Sequence, residues 1–290
     1  MKTFFSPAKI NLFLDIHQKR DDGYHDLSSL IVGLDFGDKI TIEKINQSKD
    51  LLECNDPNIP CDEENLILKG VNLLRKEIQI EDSFRFTLNK RIPSQAGFGG
   101  GSSNAANAIN GVLNLIKKDL SDKKRALLLS QIGADCSFFD NPIPSIMTGV
   151  GNLIHPLDSN ISNYLKGQKV LIYKPSFSIS TANAYRELNK SAFIDKSQTS
   201  KKVEVFKKTL NYKQLITNSF TQQLEHKYIA LKSLLKTLND QEIPSMVSGS
   251  GSGCFSLLSK GNANNQRTFV KNSVQDAFGK DVFFEEAHIL

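Results

Sequence analysis

Lys90-Arg91-Ile92-Pro93-Ser94-Gln95-Ala96-Gly97-Phe98-Gly99-Gly100-Gly101-Ser102-Ser103-Asn104-Ala105-Ala106 is the stretch from which the fold is read. Just before it, Phe84, Phe86 and Leu88 alternate with polar neighbours, which predicts a half-buried strand over 84–90. Just after it, Ala105, Ala106 and Ala108 open a thin, closely packing helix over 102–117. A strand that feeds glycines into a helix start reads as an anion site, with a tight structural turn as the alternative that four glycines and two serines argue against. Glycine lets the backbone approach closely, and the first-turn N–H groups and the helix dipole face the anion. Ser102 and Ser103 add cap and hydroxyl donors, or an oxygen facing a metal. The P-loop pattern needs a lysine after the last glycine, and none follows Gly101. The dinucleotide pattern needs a third glycine where Ser102 stands.

Outward from this loop, short strands are expected over 4–5, 12–16, 30–34 and 39–45, with turns at Asp22-Gly23 and Gly37-Asp38. Helices are expected over 65–76 and 123–132, the second ending at Gly133. Beyond Pro142 the pattern predicts a strand over 169–173, a helix over 181–188, a linker or loop over 190–200, and helices over 201–210 and 226–238. The end reads as strand 245–247, glycine loop, strand 254–258, helix 266–278 and strand 282–285. Strands and helices mix without regular βαβ alternation, so the fold class is α+β. Two domains are expected, 1–160 and 161–290.

The 290 residues suffice for a sizeable core, and 39% hydrophobic against 23% charged residues excludes wholesale disorder. The net charge, 36 − 31 = +5, falls short of a dedicated nucleic-acid binder. All of it lies in 201–240, where eight lysines face Glu204, Glu225 and Asp240, either as solvated helix faces or as an anion-attracting surface. Cys54, Cys61, Cys136 and Cys254 lack metal-site spacing, which suits a reducing cytoplasm. No apolar run approaches ~18 residues, and the first strand lacks the core of a secretory leader, so no membrane association is expected.

Two further motifs join the glycine loop. Ser6-Pro7-Ala8-Lys9-Ile10-Asn11-Leu12 sets a cation and a carboxamide among apolar residues, although Lys9 alone could equally be a solvated edge charge. Ser248-Gly249-Ser250-Gly251-Ser252-Gly253-Cys254 is a second glycine loop between strands, richer than a hairpin needs. In this order the three motifs resemble those of the GHMP kinase superfamily across nearly the whole chain. Asp22-Gly23-Tyr24-His25, the triple glycine at 99–101 and Gly133-Ala134-Asp135 with Phe138-Phe139 are similar to the branch acting on a cytidine diphosphate-linked methylerythritol in non-mevalonate isoprenoid synthesis. Departures stand at Gln95, Cys136-Ser137, Asn141-Pro142 and 149–152.

The resemblance implies an N-terminal domain like ribosomal protein S5 domain 2, which carries ATP, and a ferredoxin-like C-terminal domain. It implies a cytoplasmic small-molecule kinase using ATP with Mg2+, a monomer or weak homodimer without nucleic-acid partners. Asp135 matches the catalytic base and Lys9 its partner. Asn65, Leu66, Lys90, Pro93, Ala96, Gly97, Phe98, Gly99, Gly100, Gly101, Ser102, Ser103 and Asn104 match the nucleotide pocket. Asn11, Tyr24, His25, Thr181, Tyr185, Gly249, Ser250 and Gly251 match the acceptor side, with Tyr24 and Tyr185 on the two faces of the cytosine. No metal-ligand cluster is expected. A homoserine or mevalonate-type kinase is the neighbouring alternative, and a non-catalytic nucleotide- or RNA-binding module the distant one.

Overall fold

Two long strands carry the chain through the molecule in the computed structural model, which describes residues 1–212 and 215–290. β1 (Lys2–Lys19) pairs with β2 (His25–Ile45), and the turn between them is the expected Asp22-Gly23. The four short strands expected here are pieces of these two. Gly37-Asp38 does not reverse the chain. A Cβ on Gly37 would stand 2.3 Å from the Ser6 carbonyl oxygen, so this glycine permits a close approach inside the sheet.

The chain forms two compact units that interleave along the sequence. One comprises Met1–Ala8, Phe36–Ser94 and Gly99–Pro142; the other comprises Lys9–Asp35, Gln95–Phe98 and Ile143–Leu290. A single cut near residue 160 does not describe these units, because β1 and β2 each contribute to both.

In the first unit, β3 (Leu51–Cys54) precedes α1 (Leu66–Ile78) and β4 (Ser83–Asn89). β4 pairs antiparallel with 39–45 of β2 and parallel with β3. Ile40, Ile42, Phe84, Phe86 and Leu88 are buried on this sheet. α2 (Gly100–Ile116) begins two residues earlier than expected, with Gly99 at φ 72 as its N-cap. Ser102 and Ser103 therefore stand inside the helix and do not cap it. α3 (Asp122–Ile132) ends at Gly133, as expected, but a 3-10 helix, Ala134–Asp140, follows where no element is expected. Its Phe138 and Phe139 are buried and meet edge to face.

In the second unit, β5 (Ser145–Gly149) pairs with 27–31 of β2 and with β6 (Leu153–Pro156). These strands and α4 (Ser159–Leu165) fill a stretch where the pattern predicts nothing. β7 (Lys169–Lys174) and α5 (Thr181–Arg186) follow. The expected linker over 190–200 is structured. Ile194 N–H donates to the Ile16 carbonyl at 2.8 Å, and Asp195 caps α6 (Lys196–Thr209). The single helix expected over 226–238 is two, α7 (Thr221–Lys227) and α8 (Ile229–Asp240), broken at Tyr228, whose ring stacks on Phe177. β8 (Ser245–Val247), β9 (Cys254–Leu257), α9 (Ala263–Phe278) and β10 (Phe283–His288) complete the chain. The sheet order β10-β7-β9-β8, antiparallel throughout, is the ferredoxin-like arrangement.

Much of the basic excess over 201–240 is paired. Lys202 bridges to the buried Asp15 at 2.7 Å, and Lys207, Lys227 and Lys236 have carboxylate partners. Lys213 lies outside the described residues. No helix among the described residues is long and apolar enough to cross a membrane, and all four cysteines are free.

Candidate active site

Each unit gathers its own share of the expected site. In the first unit, Asn65 caps α1, its Oδ1 accepting the Ile67 N–H at 2.9 Å. The neighbouring Leu66 lies 3.6 Å from the point where a Cβ on Gly101 would sit. The start of α1 therefore flanks the start of α2. Helices leave their first N–H groups without intrahelical partners, so Gly100, Gly101 and Ser102 offer donors at this end. Ser103 Oγ is buried and has no hydrogen-bond partner among the described residues.

Asp135 stands in the first turn of the 3-10 helix, half-buried. Its neighbour Cys136 is fully buried, and burial pushes that thiol up to about 12. A Cβ on Gly133 would stand 3.5 Å from Cys136 Sγ and 3.7 Å from Ser102 Oγ, so the Asp135 segment lies against the first turn of α2. The Gly133-Ala134-Asp135 motif and the glycine loop thus converge within one unit.

Lys90 and Asn104, expected at the nucleotide, are turned toward a residue that the sequence reading placed in a turn. Asp38 is fully buried, and its Oδ2 accepts the Lys90 ammonium at 2.5 Å and the Asn104 carboxamide at 2.9 Å. Removing one partner of a buried ion pair costs about 3–5 kcal/mol. A signal was present in the sequence: Phe36, Asp38, Ile40 and Ile42 alternate as the buried face of one strand.

In the second unit, Lys9 is not a solvated edge charge. It is buried on β1, its N–H donates to the Phe98 carbonyl, and its ammonium donates to Asn11 Oδ1 at 2.6 Å. Asn11 in turn donates to Ser29 Oγ at 2.8 Å, and Ser29 donates to the Phe13 carbonyl at 2.6 Å. Asn11, expected at the acceptor, thus aims Lys9.

The two glycine-rich segments meet here. Gly253 N–H donates to the Ala96 carbonyl, Ser248 Oγ to the Gly97 carbonyl, and the exposed Gln95 accepts from the Ser252 N–H. A Cβ on Gly97, at φ 73, would stand 2.1 Å from the Ser248 carbonyl oxygen, so only glycine fits. Ala96 and Phe98 are buried, so these two are packing residues more than a cradle. Pro93, in the first unit, ends the strand side of the loop. Thr181 and Ser250 share a hydrogen bond at 3.0 Å, and Gly249 accepts from Asn218 at 2.8 Å. Asn218 also holds the Val247 carbonyl, and nothing in the sequence marked it.

His25 is buried with its ring 5.3 Å from Tyr185 and 5.9 Å from Phe193. Burial and the nearby Lys19 hold its pKa below the ordinary value, so the imidazole is neutral at pH 7. Tyr24 is exposed, and it is His25 that meets Tyr185. All three belong to the second unit. Phe193 was hidden in the supposed linker.

Residues 65–149 match the family model described as GHMP kinases N terminal domain. The 4-diphosphocytidyl-2-C-methyl-D-erythritol kinase of Protochlamydia amoebophila is 37% identical over 254 residues, 87% of this chain and 83% of the relative. Its counterpart from Prochlorococcus marinus (strain AS9601) is 33% identical over 267 residues, covering 87% and 84%. The crystal structure of a 4-(cytidine 5'-diphospho)-2C-methyl-D-erythritol kinase shares the fold at a TM-score of 0.77, 23% identity and 99% of both chains. A mevalonate kinase shares it at 0.67 and 17%, covering 100% of this chain and 99% of its own. The chain belongs to the 4-diphosphocytidyl-2-C-methyl-D-erythritol kinase family of GHMP kinases, which are ATP-dependent small-molecule kinases.

Proposed function

We propose that the protein transfers the γ-phosphoryl group of ATP to a hydroxyl of 4-diphosphocytidyl-2-C-methyl-D-erythritol, giving the 2-phosphate and ADP. The observation that carries this reading is the convergence at Gly133, where a Cβ would stand 3.5 Å from Cys136 Sγ and 3.7 Å from Ser102 Oγ, so that the carboxylate-bearing segment lies against the glycine-rich helix start. The relatives, named for the cytidyl acceptor, supply its identity.

Phosphoryl transfer requires an in-line hydroxyl, a group to take its proton, and fixed positive charge. Asp135 takes the acceptor's proton. Lys9, held by Asn11, supplies fixed positive charge for the transferring group. The phosphates lie against the α2 N-terminus, and the purine side lies toward Asn65 and Leu66. A magnesium ion arriving with the nucleotide would neutralise phosphate charge, with Ser102 and Ser103 as the hydroxyls held at that end. The unpartnered Ser103 Oγ fits such a role.

The cytosine is read by stacking and edge hydrogen bonds at Tyr24, His25 and Tyr185. A neutral His25 can donate from one ring nitrogen and accept at the other, as a pyrimidine edge requires. Tyr24→Ala is expected to raise the acceptor KM about ten- to a hundredfold, the loss of one stacking face at ~1–3 kcal/mol, while the ATP KM moves little. His25→Ala should behave similarly. Steady-state kinetics on both substrates checks this, and equal shifts in both KM values would remove the assignment. The reaction itself is tested by coupled ADP release with the cytidyl substrate, homoserine and mevalonate in parallel. Turnover is expected with the first alone. Turnover with homoserine, and no inhibition by cytidine diphosphate, would leave only the superfamily.

A further inference from the structure

Asp38 uses its whole acceptor capacity within the first unit. Its Oδ1 accepts the Arg91 N–H at 2.7 Å and the Ile92 N–H at 2.8 Å. Its Oδ2 accepts the Lys90 ammonium at 2.5 Å and the Asn104 carboxamide at 2.9 Å. A carboxylate has about four lone-pair sites, and all are taken by the chain itself. Lys90 closes the ring by donating to Asn104 Oδ1 at 3.3 Å. Asp38 thus joins three places that are distant in sequence: the buried face of β2, the end of β4 and the second turn of α2.

The brace also abuts the first residue of that helix. Lys90 Nζ stands 2.9 Å, and Ile92 Cγ2 3.0 Å, from where a Cβ on Gly100 would lie. Any shift of Lys90 therefore moves into, or away from, the backbone that opens α2. The direction in which the first N–H groups point is set from beneath by one carboxylate. Nothing about Asp38 faces a ligand.

We propose that Asp38 is a positioning residue for nucleotide binding, one that aims the α2 N-terminus at the phosphates through Lys90 and Asn104. This rests on the proposal that ATP binds at that helix start. Misplacing a binding group by about 1 Å can cost on the order of a hundredfold. In Asp38→Asn the side-chain oxygen can keep the two backbone N–H groups, but its new NH2 confronts the Lys90 ammonium and the Asn104 carboxamide, donor against donor. The Lys90 and Asn104 arm should then swing away while the strand arm persists.

The test is calorimetric titration of ATP and, separately, of cytidine diphosphate into the full chain, with melting temperature recorded for each variant. Asp38→Asn is expected to weaken ATP about ten- to a hundredfold and to leave cytidine diphosphate affinity within about twofold. The double variant Asp38→Asn with Lys90→Met removes the opposed donor and lets Asn104 flip to accept. It should recover part of the lost ATP affinity. A merely structural role would lower the melting temperature without separating the two ligands, and would give no recovery. Should Asp38→Asn fail to fold, Asn104→Ala removes a single arm and should weaken ATP about three- to tenfold with cytidine diphosphate unmoved. Wild-type ATP affinity in whichever of the single variants folds, or parallel loss of both ligands, overturns the role of Asp38. Failure of the unsubstituted protein to bind ATP would instead overturn the nucleotide assignment on which it rests.

Discussion

Asp135→Asn is expected to give a folded protein that binds ATP normally and turns over about two to four orders of magnitude more slowly, the range for loss of a general base. The side chains are nearly isosteric, and the neighbours of Asp135 anchor the segment by packing. Cys136, Phe138 and Phe139 are buried. The substitution should therefore leave the melting temperature and the ATP dissociation constant close to wild type. Single-turnover kinetics with both substrates saturating isolates the chemical step, and a near wild-type rate there would dismiss Asp135 as the base. Lys9→Met offers a second reading of the same step. If Lys9 and Asp135 serve one proton transfer, the double variant should lose little more than the worse single variant, as groups acting as a unit are not additive.

Gly100→Val should abolish measurable ATP binding. The reason differs from the one that the glycine run suggests. Gly100 is the first residue of a helix and does not need a left-handed backbone; that conformation belongs to Gly99 at φ 72. The obstacle is space. The new Cβ would crowd Lys90 Nζ at 2.9 Å and Ile92 Cγ2 at 3.0 Å, and valine adds two methyl groups beyond it. Lys90 cannot swing aside cheaply, since its ammonium is buried against Asp38. Either the helix start tilts or the ion pair breaks, and both misdirect the N–H donors proposed to meet the phosphates. Gly101→Ala is the contrasting substitution. Its Cβ would meet only Leu66 Cδ1 at 3.6 Å, an ordinary contact, so the fold should keep its melting temperature. Unchanged ATP affinity in a folded Gly100→Val protein would remove the phosphate-loop assignment.

How far the residues could be read one stretch at a time varied with the kind of signal. Asn65 before an amphipathic run announced α1, and Gly133 announced the end of α3, because caps and apolar periodicity act within a few residues. Gly37-Asp38 misled for the opposite reason. Glycine beside aspartate is a local turn signal, yet this glycine answers to the Ser6 carbonyl and this aspartate to Lys90 and Asn104. Residues 190–200 looked like a linker because they are polar. Their order comes from Ile16, whose carbonyl accepts the Ile194 N–H.

By itself the sequence determined the α+β class, the order of the motifs, the glycine-rich loop that leads into α2 and the family, since each rests on local chemistry or on residue identity in sequence order. Only the tertiary structure decided that Ser102 and Ser103 are helical, that Asn11 aims Lys9, that His25 faces Tyr185, and that Asp38 holds Lys90 and Asn104 beneath the start of α2. These are contacts between residues far apart in the chain or on paired strands. Their partners are chosen by burial: a buried carboxylate or ammonium must find complementary groups wherever packing brings them.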